Sequence, residues 1–122
     1  MTNVLVVDDS RIMRGVVKNS FLNLKLPAQF LEASNGAEAL HVLSENTIDL
    51  VLIDWNMPML SGLDFLKKVR GMDQYKNLPI IMITSEAARY NVIEALKAGV
   101  TGYLVKPLNE ETFKKTILGL NL

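Results

Sequence analysis

Three uninterrupted apolar runs, Val4-Leu5-Val6-Val7, Leu50-Val51-Leu52-Ile53 and Ile80-Ile81-Met82-Ile83, punctuate the chain. None shows the polar alternation of a half-exposed strand. Each therefore reads as a strand buried on both faces, of the kind found in a parallel sheet covered by helices. Two further runs are more polar or shorter. Gln29-Phe30-Leu31-Glu32-Ala33 alternates polar with apolar residues, and Tyr103-Leu104-Val105 is brief, so both read as edge strands.

Between the runs the apolar spacing lengthens to three and four residues, the period of a helix. Ile12, Met13, Val16, Val17, Phe21 and Leu24 form the expected stripe of a first helix, opposite Arg11, Arg14, Lys18 and Asn23, and Pro27 closes that unit. Asn35 and Glu38 have the spacing of an N-cap and its partner in a second helix, with Ala37, Leu40 and Leu43 as its stripe and His41 off it. Ser61 and Asp64 repeat the capping pattern ahead of Phe65, Leu66 and Val69. Val92, Ile93 and Leu96 mark a fourth helix, and Gly99 suits its C-terminal turn. Asn109 caps a fifth, with Glu110 and Glu111 in the first turn, Lys114 and Lys115 further on, and Phe113, Ile117 and Leu120 inward.

Five strands alternating with five helices predict an α/β fold, a doubly wound parallel sheet with right-handed crossovers. With the three fully apolar strands central and the other two at the edges, the expected order is 2-1-3-4-5. The winding direction then reverses between strands one and three, and ligand sites in such sheets form at the carboxyl ends of the strands beside that reversal.

Composition narrows the function. At 122 residues the chain fits one domain, 1–122, large enough to bury roughly two-thirds of its unfolded surface. Lys and Arg total 13, as do Asp and Glu, so no net field favours nucleic acid or an anionic membrane. The apolar runs fall far short of the ~18 residues a membrane span needs. No basic-then-apolar leader precedes the first strand, which predicts a protein that stays in the cytoplasm. The absence of cysteine removes disulfides, thiolate metal sites and thiol nucleophiles together.

The chemistry collects where the strands stop. The first ends on Asp8-Asp9, the third on Asp54, the fourth on Thr84-Ser85-Glu86 and the fifth on Lys106-Pro107. Singly, each has an ordinary explanation: Asp9 and Ser10 as N-cap residues, Asp54 as a turn into the Met57-Pro58 loop, Thr84 as a strand-end hydroxyl, Lys106 as a solvated lysine. Their recurrence at the same edge of four core strands favours a site. Two carboxylates about 5 Å apart repel by roughly 3 kcal/mol at an effective dielectric near 20, so three in one crevice call for a cation. Hard oxygen donors without His or Cys suit Mg²⁺.

Asp8-Asp9, Asp54 with Met57-Pro58 and Gly62 behind it, Thr84 and Lys106-Pro107 together resemble the response-regulator receiver domains of two-component signalling, over the whole length. Asp54-Trp55-Asn56-Met57-Pro58 and Tyr103 point within that family to the single-domain chemotaxis regulators. The resemblance implies the flavodoxin-like form of the fold and makes Asp54 the nucleophile that takes a phosphoryl group from a histidine kinase. It implies Mg²⁺ held by Asp9, Asp54 and the backbone carbonyl of Asn56, with Asp8 acting mainly through water. Lys106 would pair with the phosphoryl oxygens, Thr84 would move to donate its hydroxyl to them, and Tyr103 would turn inward after it. The Lys106-Pro107 bond would be cis. Such a protein is a monomeric switch, catalysing only its own phosphorylation and dephosphorylation. Its output face would be the fourth helix, last strand and fifth helix, with Arg89, Val92, Tyr103, Val105 and Lys115 meeting a flagellar motor switch protein or another target. Two departures, Leu108 after Lys106-Pro107 and the Ala88-Arg89 pair, bear on partner choice.

Three alternatives compete. A stand-alone phosphorelay intermediate or adaptor would share every motif. An aspartate-nucleophile phosphatase would carry Asp-x-Asp on its first strand, where this chain has adjacent Asp8 and Asp9. A flavin or nucleotide module would need a Gly-, Ser- and Thr-rich phosphate loop where this chain has two negative charges.

Overall fold

The computed structural model describes residues 1–85 and 89–122, the side chains of Arg89 and Tyr90 excepted. Five strands and five helices alternate: β1 (Thr2–Val7), α1 (Arg11–Leu22), β2 (Ala28–Ala33), α2 (Gly36–Glu45), β3 (Leu50–Asp54), α3 (Gly62–Arg70), β4 (Ile80–Thr84), α4 (Arg89–Lys97), β5 (Gly102–Val105) and α5 (Glu110–Leu118), with a 3₁₀ turn at Asp73–Tyr75. All pairings are parallel and the order is β2-β1-β3-β4-β5, as the polarity of the runs predicts. Glu86 and Ala88, and the side chain of Arg89, lie outside the described residues.

The strand period of two sorts the core into two layers. Leu5, Val7, Val51, Ile53, Ile80 and Met82 point to one side, where they meet Ala39 and Leu43 of α2, Phe65, Leu66 and Val69 of α3 and Ala95 of α4. Their neighbours Val4, Val6, Leu50, Leu52, Ile81 and Ile83 point to the other, against Val17 and Phe21 of α1 and Phe113 and Ile117 of α5. Every residue of β3 and β4 is buried. Helix entries follow the capping signals: the side chains of Ser10, Asn35, Ser61 and Asn109 accept hydrogen bonds from the backbone N–H groups of Met13, Glu38, Asp64 and Thr112. Gly99 turns out of α4 at φ +93°.

Three helices face the core differently from expectation. Ile12 and Val16 are 81% and 41% exposed, while Val17, Ser20 and Phe21 are the buried residues of α1. In α2 Ala39 is buried and Ala37 is exposed. In α4 Asn91 and Ala95 are buried, Val92 is half-buried, and Ile93 and Leu96 are exposed. In α1 and α4 small or polar residues, Ser20, Asn91 and Ala95, share the seam against the sheet while Ile12, Ile93 and Leu96 are left outside; in α2 the buried face is turned from Ala37 to Ala39. Glu38 also departs from the reciprocal capping pattern, since its carboxylate takes a hydrogen bond from Ser34.

Candidate functional site

The switch between β1 and β3 forms a crevice at the carboxyl edge of the sheet. The register Val7↔Ile53 puts the residues that follow, Asp8 and Asp54, side by side. Asp9 joins them from the turn into α1. One oxygen from each of Asp8, Asp9 and Asp54 lies within 4.8 Å of the other two, with Asp8 and Asp54 buried and Asp9 exposed. The donors are hard oxygens, open to solvent on the Asp9 side, a set that can hold a divalent ion such as Mg²⁺ with several of its waters retained.

Asp8 is fixed locally. Ser10 N–H donates to Asp8 Oδ1 at 2.9 Å, bending the chain into α1. Arg14, one turn into α1, donates to the Asp8 backbone carbonyl at 2.7 Å while its Nε pairs with Glu32 at 2.9 Å. Lys18 also reaches Glu32, at 3.0 Å. Hydrogen bonds from Lys18 and Arg14 hold the Glu32 carboxyl below its ordinary pKa. Sequence reasoning did not pick out this clamp, although the expected strand order already puts the end of β2, and so Glu32, beside β1.

Lys106 supplies the positive charge. Its ammonium sits 2.9 Å from Asp8 Oδ2 and 3.2 Å from Asp54 Oδ1, with only 19% of the side chain exposed. Burial raises the Asp54 pKa, the charge of Asp8 raises it further, and Lys106 only partly offsets them. For Lys106, burial pulls the pKa down, but the hydrogen bond to Asp8 and the charge of Asp54 outweigh it, and the net shift is upward. Three carboxylates thus share the crevice with the single ammonium of Lys106.

Thr84, fully buried, ends β4 opposite Val105, and its carbonyl accepts from Lys106 N–H at 2.7 Å. Lys106-Pro107 is cis. Asn56 is exposed in the loop after Asp54. Gly62 closes that loop by donating to the Trp55 carbonyl at 2.9 Å, and a Cβ there would collide with the Asp54 carbonyl oxygen, which accounts for glycine at this position. Trp55 and Tyr103 pack edge to face, centroids 6.5 Å apart at 67°, linking the residue after Asp54 to the edge strand.

The residues expected at the output face lie on α4, β5 and α5. Val92 and Tyr103 are half-buried, Val105 is 42% exposed, and Lys115 is exposed beside Glu111 at 3.7 Å. Tyr103, Val105, Leu108, Asn109 and Thr112 line a groove between β5 and α5. The exposed Val16 and its neighbour Met13 form a second apolar surface with Pro107 and Leu108, beside Lys106. Among the described residues no helix is long and apolar enough to cross a membrane.

Comparison with known proteins gives a consistent answer. The response regulator receiver domain family matches residues 4–118. Chemotaxis protein CheY1 of Helicobacter pylori is 48% identical over 122 residues, covering 97% of this chain and 98% of that protein. Chemotaxis protein CheY-3 of Vibrio cholerae is 44% identical over 114 residues, covering 93% and 87%. The solved structure of the chemotaxis response regulator CheY4 of Vibrio cholerae superposes with a TM-score of 0.87 at 38% identity, covering 98% of both chains.

Proposed function

This chain belongs to the response regulator receiver family, on the chemotaxis side of it, and from that premise we propose that all of 1–122 is one receiver domain, a cytoplasmic phospho-acceptor switch charged at Asp54 by a histidine kinase. The observation that carries the reading is the convergence of the Asp8, Asp9 and Asp54 carboxylates within 4.8 Å, with Lys106 against two of them. An Asp54 oxygen attacks the phosphorus of a phosphohistidine, the P–N bond breaks, and the imidazole leaves with its electron pair and is protonated. Asp9, Asp54 and the Asn56 carbonyl would hold Mg²⁺, with Asp8 behind them, and the bound ion would supply charge neutralisation for the phosphoryl oxygens. Asp8 also holds Lys106 at the site. Lys106 gives up part of its contact with Asp54 to pair with a phosphoryl oxygen. Thr84 donates its hydroxyl to another.

Phosphorylation adds charge at one point, and Thr84 at the end of β4 is the element it biases. Thr84 moves toward the phosphoryl group, and Tyr103 turns inward into the space this leaves. The groove between β5 and α5 changes shape, and an amphipathic segment of a flagellar motor switch protein docks against α4, β5 and α5, with Lys115 on its basic rim. Such coupling is typically about 1–3 kcal/mol, or about 5–150-fold in affinity. The test is binding of a fluorescent motor-switch peptide to the protein with and without a beryllofluoride mimic of the phosphoryl group. Tighter binding with the mimic, mapped to α4, β5 and α5, supports the proposal. Equal affinity in both states contradicts it and favours the relay alternative.

A further inference from the structure

Gly36 opens α2 next to the loop that leaves Asp54, and nothing in its own backbone requires glycine: among the described glycines only Gly99 has a positive φ. The requirement is steric. A Cβ at Gly36 would lie 2.5 Å from the Leu60 carbonyl oxygen, 2.8 Å from Leu60 Cβ and 3.0 Å from its Cγ. A hydrogen bond from Gly36 N–H to that carbonyl, at 3.1 Å, holds the approach in place. Leu60 is the last turn of the segment that begins at Trp55 and includes Asn56. The segment's other end is pinned by Gly62, which donates to Trp55 and lies against the Asp54 carbonyl. Between the two pins Met59 holds φ +69°, a conformation a methionine side chain adopts only when its surroundings impose it. The loop is thus clamped between two backbone approaches that only glycine permits, one of them made by a different helix.

We propose that Gly36 is a positioning residue of the metal site, seating α2 against Leu60 and so setting where the Asn56 carbonyl lies relative to Asp54. The proposal rests on the Mg²⁺ reading given above. Gly36→Ala changes no ligand and no charge, and suits the first turn of a helix. Its effect on the site comes only through the displaced loop.

The experiment is a Mg²⁺ titration of the full chain followed by Trp55 emission and by calorimetry, with thermal unfolding of the metal-free protein measured alongside. Gly36→Ala is expected to weaken Mg²⁺ binding about tenfold or more, the cost usual for disturbing the support of metal ligands, and to shift Trp55 emission before metal is added. Leu60→Ala should act in the same direction with a smaller effect, and it decides the matter should Gly36→Ala fail to fold. Ile117→Ala, buried under the opposite face of the sheet, loses stability without touching the loop and should keep wild-type affinity. Folded Gly36→Ala and Leu60→Ala proteins with wild-type affinity overturn the proposal, as does an Ile117→Ala protein that weakens as much as they do. Wild-type protein that binds no Mg²⁺ overturns the reading of the site and this inference with it, a result distinct from wild-type binding that the variants retain.

Discussion

Replacing Lys106 with methionine removes a charge while keeping most of the side chain's apolar length, and the structure gives the consequence a sign for Mg²⁺. The ammonium contacts Asp8 and Asp54, two of the three carboxylates that converge within 4.8 Å, so lysine and metal draw on the same oxygens. With that 4.8 Å as the scale of their separation, a unit and a double positive charge repel by about 1.7 kcal/mol even at the dielectric of water, and more in a half-buried crevice. Lys106→Met should therefore bind Mg²⁺ about tenfold more tightly or better. Without metal the same variant should be less stable by about 3 kcal/mol, because two buried carboxylates lose their counter-charge. Saturating Mg²⁺ should recover most of that loss. Phosphorylation should slow, since the phosphoryl oxygens lose a partner, so that tighter metal binding accompanies a poorer reaction. The assay pairs a Trp55 emission titration with thermal unfolding in EDTA and in excess Mg²⁺. Unchanged or weaker Mg²⁺ affinity in the folded variant would show that the Lys106 contacts do not compete with metal, and would refute the reasoning.

Gly15 sits within α1 with nothing inside 4 Å of where a Cβ would go. Gly15→Ala should stabilise by about 0.5–1 kcal/mol and raise the unfolding temperature by about 3 °C in a thermal melt. A lower melting temperature would mean that this face of α1 is not open. Tyr103→Ala should label at Asp54 as wild type does yet lose most of the difference in peptide affinity between phosphorylated and unphosphorylated protein. A full difference retained without the ring would remove Tyr103 from the switch.

The strands were the most legible part of the chain, because a run such as Leu50 to Ile53 has no polar side to hide and can only lie inside a sheet. From strand polarity came the order, and from the order the meeting of Asp8, Asp9 and Asp54, so the acidic crevice was legible in the sequence. Helix faces were harder. Hydrophobic spacing in α1 and α4 weights Ile12, Ile93 and Leu96 above Ser20, Asn91 and Ala95, whereas at these positions the sheet takes the smaller or polar side chain and leaves the larger one exposed. The Lys106 contacts with Asp8 and Asp54 depend on where a flexible side chain settles, and the Trp55–Tyr103 packing on how β5 sits beside β4. Neither leaves a periodic trace. Gly36 carries a steric requirement that exists only once the loop ending at Leu60 has been folded against it.

The most direct test of the central claim is to incubate the protein with a small phosphodonor such as acetyl phosphate and Mg²⁺, then locate the label by mass spectrometry after borohydride trapping of the acyl phosphate. The account predicts a single labelled residue, Asp54, with labelling that requires Mg²⁺, is lost to hydroxylamine and is absent in Asp54→Asn. Label that persists in Asp54→Asn, or that forms at Asp54 equally well in EDTA, would contradict it.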